Sequence, residues 1–242
     1  MRRRMLFGLT AICLGLVGGL PAAAQFTDSG VPEGAIDGAS ISYLEESGED
    51  PLAPYYSFEV FTFEDDDAAT AALADLPQQL SEQISAGTDA SDPTTGDAEL
   101  VEVDAADVEG LDGLGDEARA YELSFGEDLG NSAFSLLTVR DGANVHLWLS
   151  FVLDFSAVLG DSGTPAATPA ATPTVDAGQG VADLVKIGDA WFNGDKPDDG
   201  DLIDQLPTID QLPDGYTEAD RYENLDEFKS GAGALLGLDL AA

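Results

Sequence analysis

Histidine and cysteine, which carry much acid–base, nucleophilic and metal chemistry, occur once each in these 242 residues. His146 is the only histidine, and it lies in the stretch 138–151, TVRDGANVHLWLSF, together with Arg140. A catalytic imidazole needs an orienting partner within hydrogen-bond reach. No such partner is evident at a fixed spacing from His146, so a packed position on a sheet face is the simpler reading. Arg119 and Arg140 are the only basic residues between Gln25 and Val185, and each adjoins a turn, GDEAR and VRDG. Two guanidinium groups could grip a small anion or carboxylate. Because acids surround both, the preferred reading is that each pairs locally and fixes its own turn.

Two further motifs fail on context. Gly160-Asp161-Ser162-Gly163 matches the tetrapeptide around a serine-protease nucleophile, but the serine opens a Pro/Thr/Ala-rich stretch where no buried oxyanion site could form. DKPDDGDLIDQL, from Asp195, resembles a calcium loop through Asp195 and Asp199 before Gly200. Pro197 and Leu206 stand where two essential oxygen ligands belong, so these acids read first as solvated loop residues and only weakly as a calcium site. With 47 acidic residues, no catalytic carboxylate pair can be chosen along the chain, since the test is a separation in space.

The wider composition narrows the classes. Arg2 to Arg4, the apolar run Leu6 to Leu20 and the small residues Pro21-Ala22-Ala23-Ala24 have the layout of a signal peptide over residues 1–24, cleaved before Gln25. Its removal leaves six basic residues against 47 acids, a formal charge near −41, which disfavours nucleic acid and anionic lipid as partners. It also removes Cys13, the single cysteine, and with it disulfides, thiol catalysis and cysteine-based metal sites. No cofactor is implied, and calcium is the one metal that so carboxylate-rich a chain would suit. The acid excess fits either adaptation to high salt or an ordinary acidic exported domain.

The elements that would position these residues follow from periodicity. Residues 25–50 form a polar arm with a short alternating piece, ISYLE, expected at a sheet edge. Tyr55 to Phe63, YYSFEVFTF, reads as a strand. Ala69, Leu73, Leu76, Leu80 and Ile84 form one helical stripe, with Pro77 expected to kink or break it. ELVEV at 99–103 and ARAYELSF at 118–125 read as strands. Residues 133–153 form a hairpin, in which a type I′ turn at Asp141-Gly142 pairs Thr138 with Val145, Leu136 with Leu147 and Phe134 with Leu149. His146 then faces the opposite side, with Leu137 and Trp148. Residues 160–178, rich in Pro, Thr and Ala, read as a disordered linker or long loop. Val181, Leu184, Val185, Gly188 and Trp191 mark a helix over 179–192 that packs on the domain of residues 51–159. Residues 193–242 read as an acidic tail with a weak final helix. VPEGA at 31–35 is echoed by LPDGY at 212–216, as at the start of a truncated repeat.

This order of strand, helix, antiparallel strands with a GDEA turn and a VR-x-G hairpin, then helix, resembles secreted α/β domains of the PsbP/Mog1-like type and extracytoplasmic sensor domains. The resemblance spans roughly residues 55–192. It implies a non-catalytic accessory role and carries over no functional residues. The predicted fold is thus α+β, an antiparallel sheet with one or two packed helices plus a disordered linker and tail. The expected function is a secreted, non-enzymatic binding domain for a protein, peptide or small ligand. Arg119, Arg140 and an exposed patch around Trp148 are the candidate contacts, and a carboxylate-based extracellular hydrolase is the alternative.

Overall fold

In a computed structural model of the chain, residues 31–45, 55–87, 99–124, 133–152, 179–197 and 200–235 are described. The proposed signal peptide, the linker over 160–178 and Asp199 lie outside them. Seven strands form one antiparallel sheet: β1 Asp37–Glu45, β2 Tyr55–Thr62, β3 Glu99–Glu102, β4 Glu117–Ser124, β5 Ala133–Asp141, β6 Asn144–Val152 and β7 Tyr216–Tyr222, in the order β3-β4-β5-β6-β2-β1-β7. Among the described residues three α-helices complete the α+β fold: α1 Asp66–Gly87, α2 Gln179–Ala190 and α3 Leu225–Leu235.

Strand side chains alternate between two faces, and here both faces are apolar, which requires helices on both sides of the sheet. On one face Ile41, Phe58, Leu137, Val139 and Trp148 pack with Val181, Leu184, Val185 and Trp191 from α2 and the turn after it. On the other, Phe61, Tyr121, Leu136, Val145 and Leu147 pack with Ala69, Leu73 and Leu76 of α1 and with Leu225 and Phe228 of α3. The stripe expected for the first helix is therefore its buried side at the three positions described. Pro77 does not divide α1, which runs unbroken across it.

The β5–β6 hairpin forms with a shifted turn. Asp141 pairs with Asn144, so Gly142 and Ala143 are the loop residues, and the pairs are Thr138 with Leu147, Leu136 with Leu149 and Phe134 with Phe151. Gly142 has φ +59° and is the only one of the two in the left-handed region. That matches a type II′ turn, which asks for glycine at its first central position; type I′ would force Ala143 to positive φ as well. The two-residue shift keeps every side chain on its expected face.

Two expectations are corrected. ISYLE is no edge: β1 lies between β2 and β7, and the strand is buried from Gly38 to Tyr43. Residues 216–235 are no tail, because β7 completes the sheet and α3 covers it with Leu225 and Phe228. The apolar positions there, Tyr216, Leu225 and Phe228, are few and widely spaced among acids, which hides them from a periodicity search. The echoed segments adopt matching turns, with Gly34 at φ +87° and Gly215 at φ +99°, and they lead into β1 and β7, which pair with each other.

Candidate functional site

The two arginines are engaged by their own neighbours. Arg119 donates from Nε and Nη2 to Glu117 Oε1 at 3.1 and 2.8 Å. Arg140 Nη1 donates to Asp116 Oδ2 at 3.1 Å, and the same oxygen accepts the Gly142 N–H at 2.9 Å. Asp116 also donates its backbone N–H to the Arg140 carbonyl at 2.8 Å. The local reading of both arginines accounts for this geometry: acids from the GDEA turn hold the hairpin turn in place. Lys196 forms a further ion pair with Asp141 at the same end of the hairpin.

Trp148 is not available as a docking patch. It is fully buried, with its indole stacked on Phe192 at 5.6 Å and set edge-to-face against Phe58 at 5.4 Å. The physical reason is the placement of α2, which covers this face of the hairpin and not the other. Arg119 and Arg140 lie on the α1 face, so the three residues do not form one site.

His146 is sealed on the α2 face. Its ring meets Phe192 at 5.2 Å and Trp148 at 6.1 Å, both edge-to-face, and neither ring nitrogen has a hydrogen-bond partner. Burial pulls its pKa down to about 3, so the imidazole is neutral near pH 7. The chain closes over it where the last turn of α2 widens: Trp191–Asp195 forms a single π-type turn, with Lys196 N–H donating to the Trp191 carbonyl at 2.8 Å and Lys196 Nζ lying 5.5 Å from the Phe192 ring centre. A base without a partner and without access to solvent has no route to catalysis. Asp195 ends that turn; its side chain and Asp199 fall outside the described residues. Among the described residues no group of three or more His, Cys, Asp or Glu could hold a metal ion.

The more suggestive constellation lies on the opposite face, on strands β2, β1 and β7, where the sequence reading placed no site. The register puts Leu147, Glu59, Ser40 and Tyr222 in one row across β6, β2, β1 and β7. Leu149, Ser57, Ser42 and Asp220 form the next row. The face is therefore apolar over β5 and β6, beneath α1, and becomes polar across β2, β1 and β7. Ser40 and Ser42 are 5 % and 3 % exposed, while Tyr55, Ser57, Glu59, Leu149, Asp220 and Tyr222 are half-buried.

The electrostatics of this floor are those of acids short of water. The Glu59 side chain keeps some contact with solvent, yet its carboxyl is crowded enough by protein that burial pushes it up to about 7. No hydrogen bond or ion pair compensates it among the described residues. Burial also raises Asp220. The Tyr55 phenol is pushed up to about 12, by burial first, with the nearby Ser42 hydroxyl opposing. Ser42 Oγ nevertheless makes no hydrogen bond of acceptable geometry. A signal for this floor did exist: in YYSFEVFTF and SISYLE the alternation puts Ser57, Glu59, Ser40 and Ser42 on one side of strands whose other side is apolar.

Comparison with protein-family models, curated proteins and solved structures finds no match to this chain, so the resemblance to PsbP/Mog1-like and sensor domains has no support from relatives. Among the described residues, no helix is long and apolar enough to cross a membrane.

Proposed function

We propose that the chain is an exported, acidic, non-enzymatic binding domain, and that its ligand rests on the polar floor of β1, β2 and β7. One observation carries this reading: Ser42, a buried hydroxyl beside the Tyr55 phenol but without a well-formed hydrogen bond, lies in the row next to Glu59, a crowded carboxyl whose shift has burial as its cause and no charge opposing it. Leaving a buried polar group unpaired costs about 1–3 kcal/mol, and a bound ligand that completes the missing hydrogen bonds recovers it. Tyr55, Ser57 and Glu59 on β2 are half-buried, while on the β7 side Phe228 of α3 packs against Tyr222, so the floor meets solvent from the β2 side.

The hydrolase alternative draws on one feature, a carboxyl near pH 7 of the kind a general acid needs. The second carboxyl of this face, Asp220, sits two strands and two residues away, which places the two backbones about 12 Å apart from ordinary sheet spacings. Paired glycosidase carboxyls lie at about 5–9.5 Å, a separation these two side chains reach only by leaning towards each other.

The deciding experiment is nuclear magnetic resonance of the isotope-labelled chain during addition of mixtures of small polar compounds. The binding reading expects amide shifts clustered at Ser40, Ser42, Ser57, Glu59 and Tyr222. Shifts confined to Arg119 and Arg140, or none anywhere, would refute it. Turnover of chromogenic glycosides that disappears in Glu59→Gln would establish the hydrolase instead.

A further inference from the structure

The chemistry of this floor also selects a class of ligand. Two carboxyls, Glu59 and Asp220, face the same side of the sheet as the buried Ser42 hydroxyl, and no cationic side chain shares their rows. The groups left wanting a partner are thus mainly acceptors, which call for a donor of positive charge. A bare metal ion is a poor match, since no group of three or more ligating side chains exists among the described residues. The floor continues sideways into half-buried apolar surface at Leu149 and Phe151, which pair with Ser57 and Tyr55. Tyr222, beside Ser40, closes the floor at β7, where its ring is packed edge-to-face with Phe228 of α3 at 5.8 Å.

We infer that this floor binds an organic ammonium ion with an apolar portion: its N–H groups meet Glu59 and Ser42, which lie in adjoining rows on neighbouring strands, Asp220 adds negative charge further along the floor, and its apolar portion lies along Leu149 and Phe151. The inference rests on the binding reading above and adds the ligand's charge and shape. An anion would meet only repulsion here, and a neutral polar molecule would leave the Glu59 charge uncompensated.

The test is calorimetric titration of the full folded chain with benzylamine and, separately, benzyl alcohol at pH 8. It is run at ionic strengths of about 0.15 and about 1 M, because salt removes diffuse attraction to the acidic surface. Benzylamine is expected to bind at both, at least ten-fold more tightly than the alcohol. Glu59→Gln should weaken benzylamine at least ten-fold and Ser42→Ala measurably, with thermal unfolding showing both variants folded. Unchanged affinity in Glu59→Gln, or amine binding that vanishes at high salt, would overturn the inference. The two readings fail differently. If both compounds shift the floor amides equally, the ammonium assignment falls and the binding floor stands. If neither does, the assignment also falls, and the mixture experiment above decides whether the floor binds anything.

Discussion

The two faces of the sheet treat an ionisable group in opposite ways. On the α2 face His146 is closed in by Trp148 and Phe192 and has become a neutral, partnerless ring inside an aromatic cluster. On the face shared by α1 and α3, Glu59 sits among serines and phenols with solvent within reach. Both are shifted by the same cause, loss of water, and both shifts favour the neutral form. What differs is cover. The π-type turn lays Phe192 against the histidine, whereas the residues around Glu59 on β2 are left half-buried. A sealed neutral group is a packing element; an accessible one with unmet hydrogen-bonding capacity is what the proposed binding reading rests on.

The sharpest way to break this contrast is acid. His146 falls from an ordinary 6.5 to about 3 on folding, so between those values the unfolded chain binds a proton that the native state refuses. Stability is therefore lost as pH falls from about 6.5 towards 3, by up to roughly 5 kcal/mol at about 1.4 kcal/mol per unit. Denaturant unfolding of wild type and His146→Leu at pH 7 and pH 4 isolates this share from that of the many titrating acids. The wild type should lose about 3 kcal/mol more than the variant over that range. Equal losses would mean that the histidine is not sealed.

Glu59 gives the opposite sign at a smaller size. Its folded value, about 7, lies above the ordinary 4.5, so its contribution is intact below about 4.5 and is lost as pH rises through 7. The titratable groups in the neighbouring rows, Asp220, Tyr55 and Tyr222, are acids and phenols that cannot offset the charge; of the cations on this face, Arg119 and Arg140 are paired with Glu117 and Asp116, and Lys229 of α3 is exposed. The loss is at most about 3 kcal/mol, reduced by the solvent that still reaches the side chain. Glu59→Gln should accordingly be more stable than wild type at pH 8 and indistinguishable from it near pH 4.5. A variant less stable at pH 8 would show that the carboxylate has a partner and that the floor is not a vacant acceptor site.

The contrast between the faces was only partly legible in the residues. Alternation along 133–153 assigns Leu136 and Leu147 to one side and His146 and Trp148 to the other, because side-chain period depends on the strand alone. It does not say which side a distant helix will cover. Trp148 was therefore expected at the surface, while α2 packs over it. The turn was misplaced by one residue, since Asp-Gly suits type I′ and the choice between Asp141-Gly142 and Gly142-Ala143 rests on which backbone takes positive φ. The Glu59 floor was hidden for another reason. It is assembled from β1, β2 and β7, and β7 comes from a segment whose three buried apolar residues are diluted by acids. The arginines were readable because their partners, Glu117 and Asp116, are near in sequence or in the adjoining turn.

A smaller effect should strike both faces alike. Asp116 Oδ2 holds the Gly142 N–H and the Arg140 guanidinium, and so it ties down the hairpin turn from which β5 and β6 supply side chains to either side. The ion pair alone is largely exposed and contributes little; the backbone hydrogen bond acts as a cap does. Asp116→Ala should cost about 1 kcal/mol in chemical denaturation and leave the pH profiles of His146 and Glu59 unmoved. A change in either profile would show that the turn governs the cover over that face.

The smallest effect concerns the surface that both faces share. Some 47 acids against nine basic residues repel one another across the folded chain, over a range of about 8 Å at physiological ionic strength and about 3 Å at 1 M. Raising sodium chloride from about 0.01 to about 1 M should therefore stabilise the fold. A gain of about 1 kcal/mol corresponds to 2–4 °C in melting temperature for a chain of this size. Comparing chloride with sulfate separates screening from the salting-out of apolar surface. The two buried groups provide the internal control. Their shifts arise from loss of water and not from distant charge, so the acid loss due to His146 and the alkaline loss due to Glu59 should persist in molar salt while the general repulsion fades. If the Glu59 slope disappears with the repulsion, its raised value reflects the summed field of the acidic surface. The floor would then lose its distinction from any other patch of this chain. A flat or falling melting temperature would instead show that self-repulsion does not limit the fold, and the acid excess would then require a cationic partner.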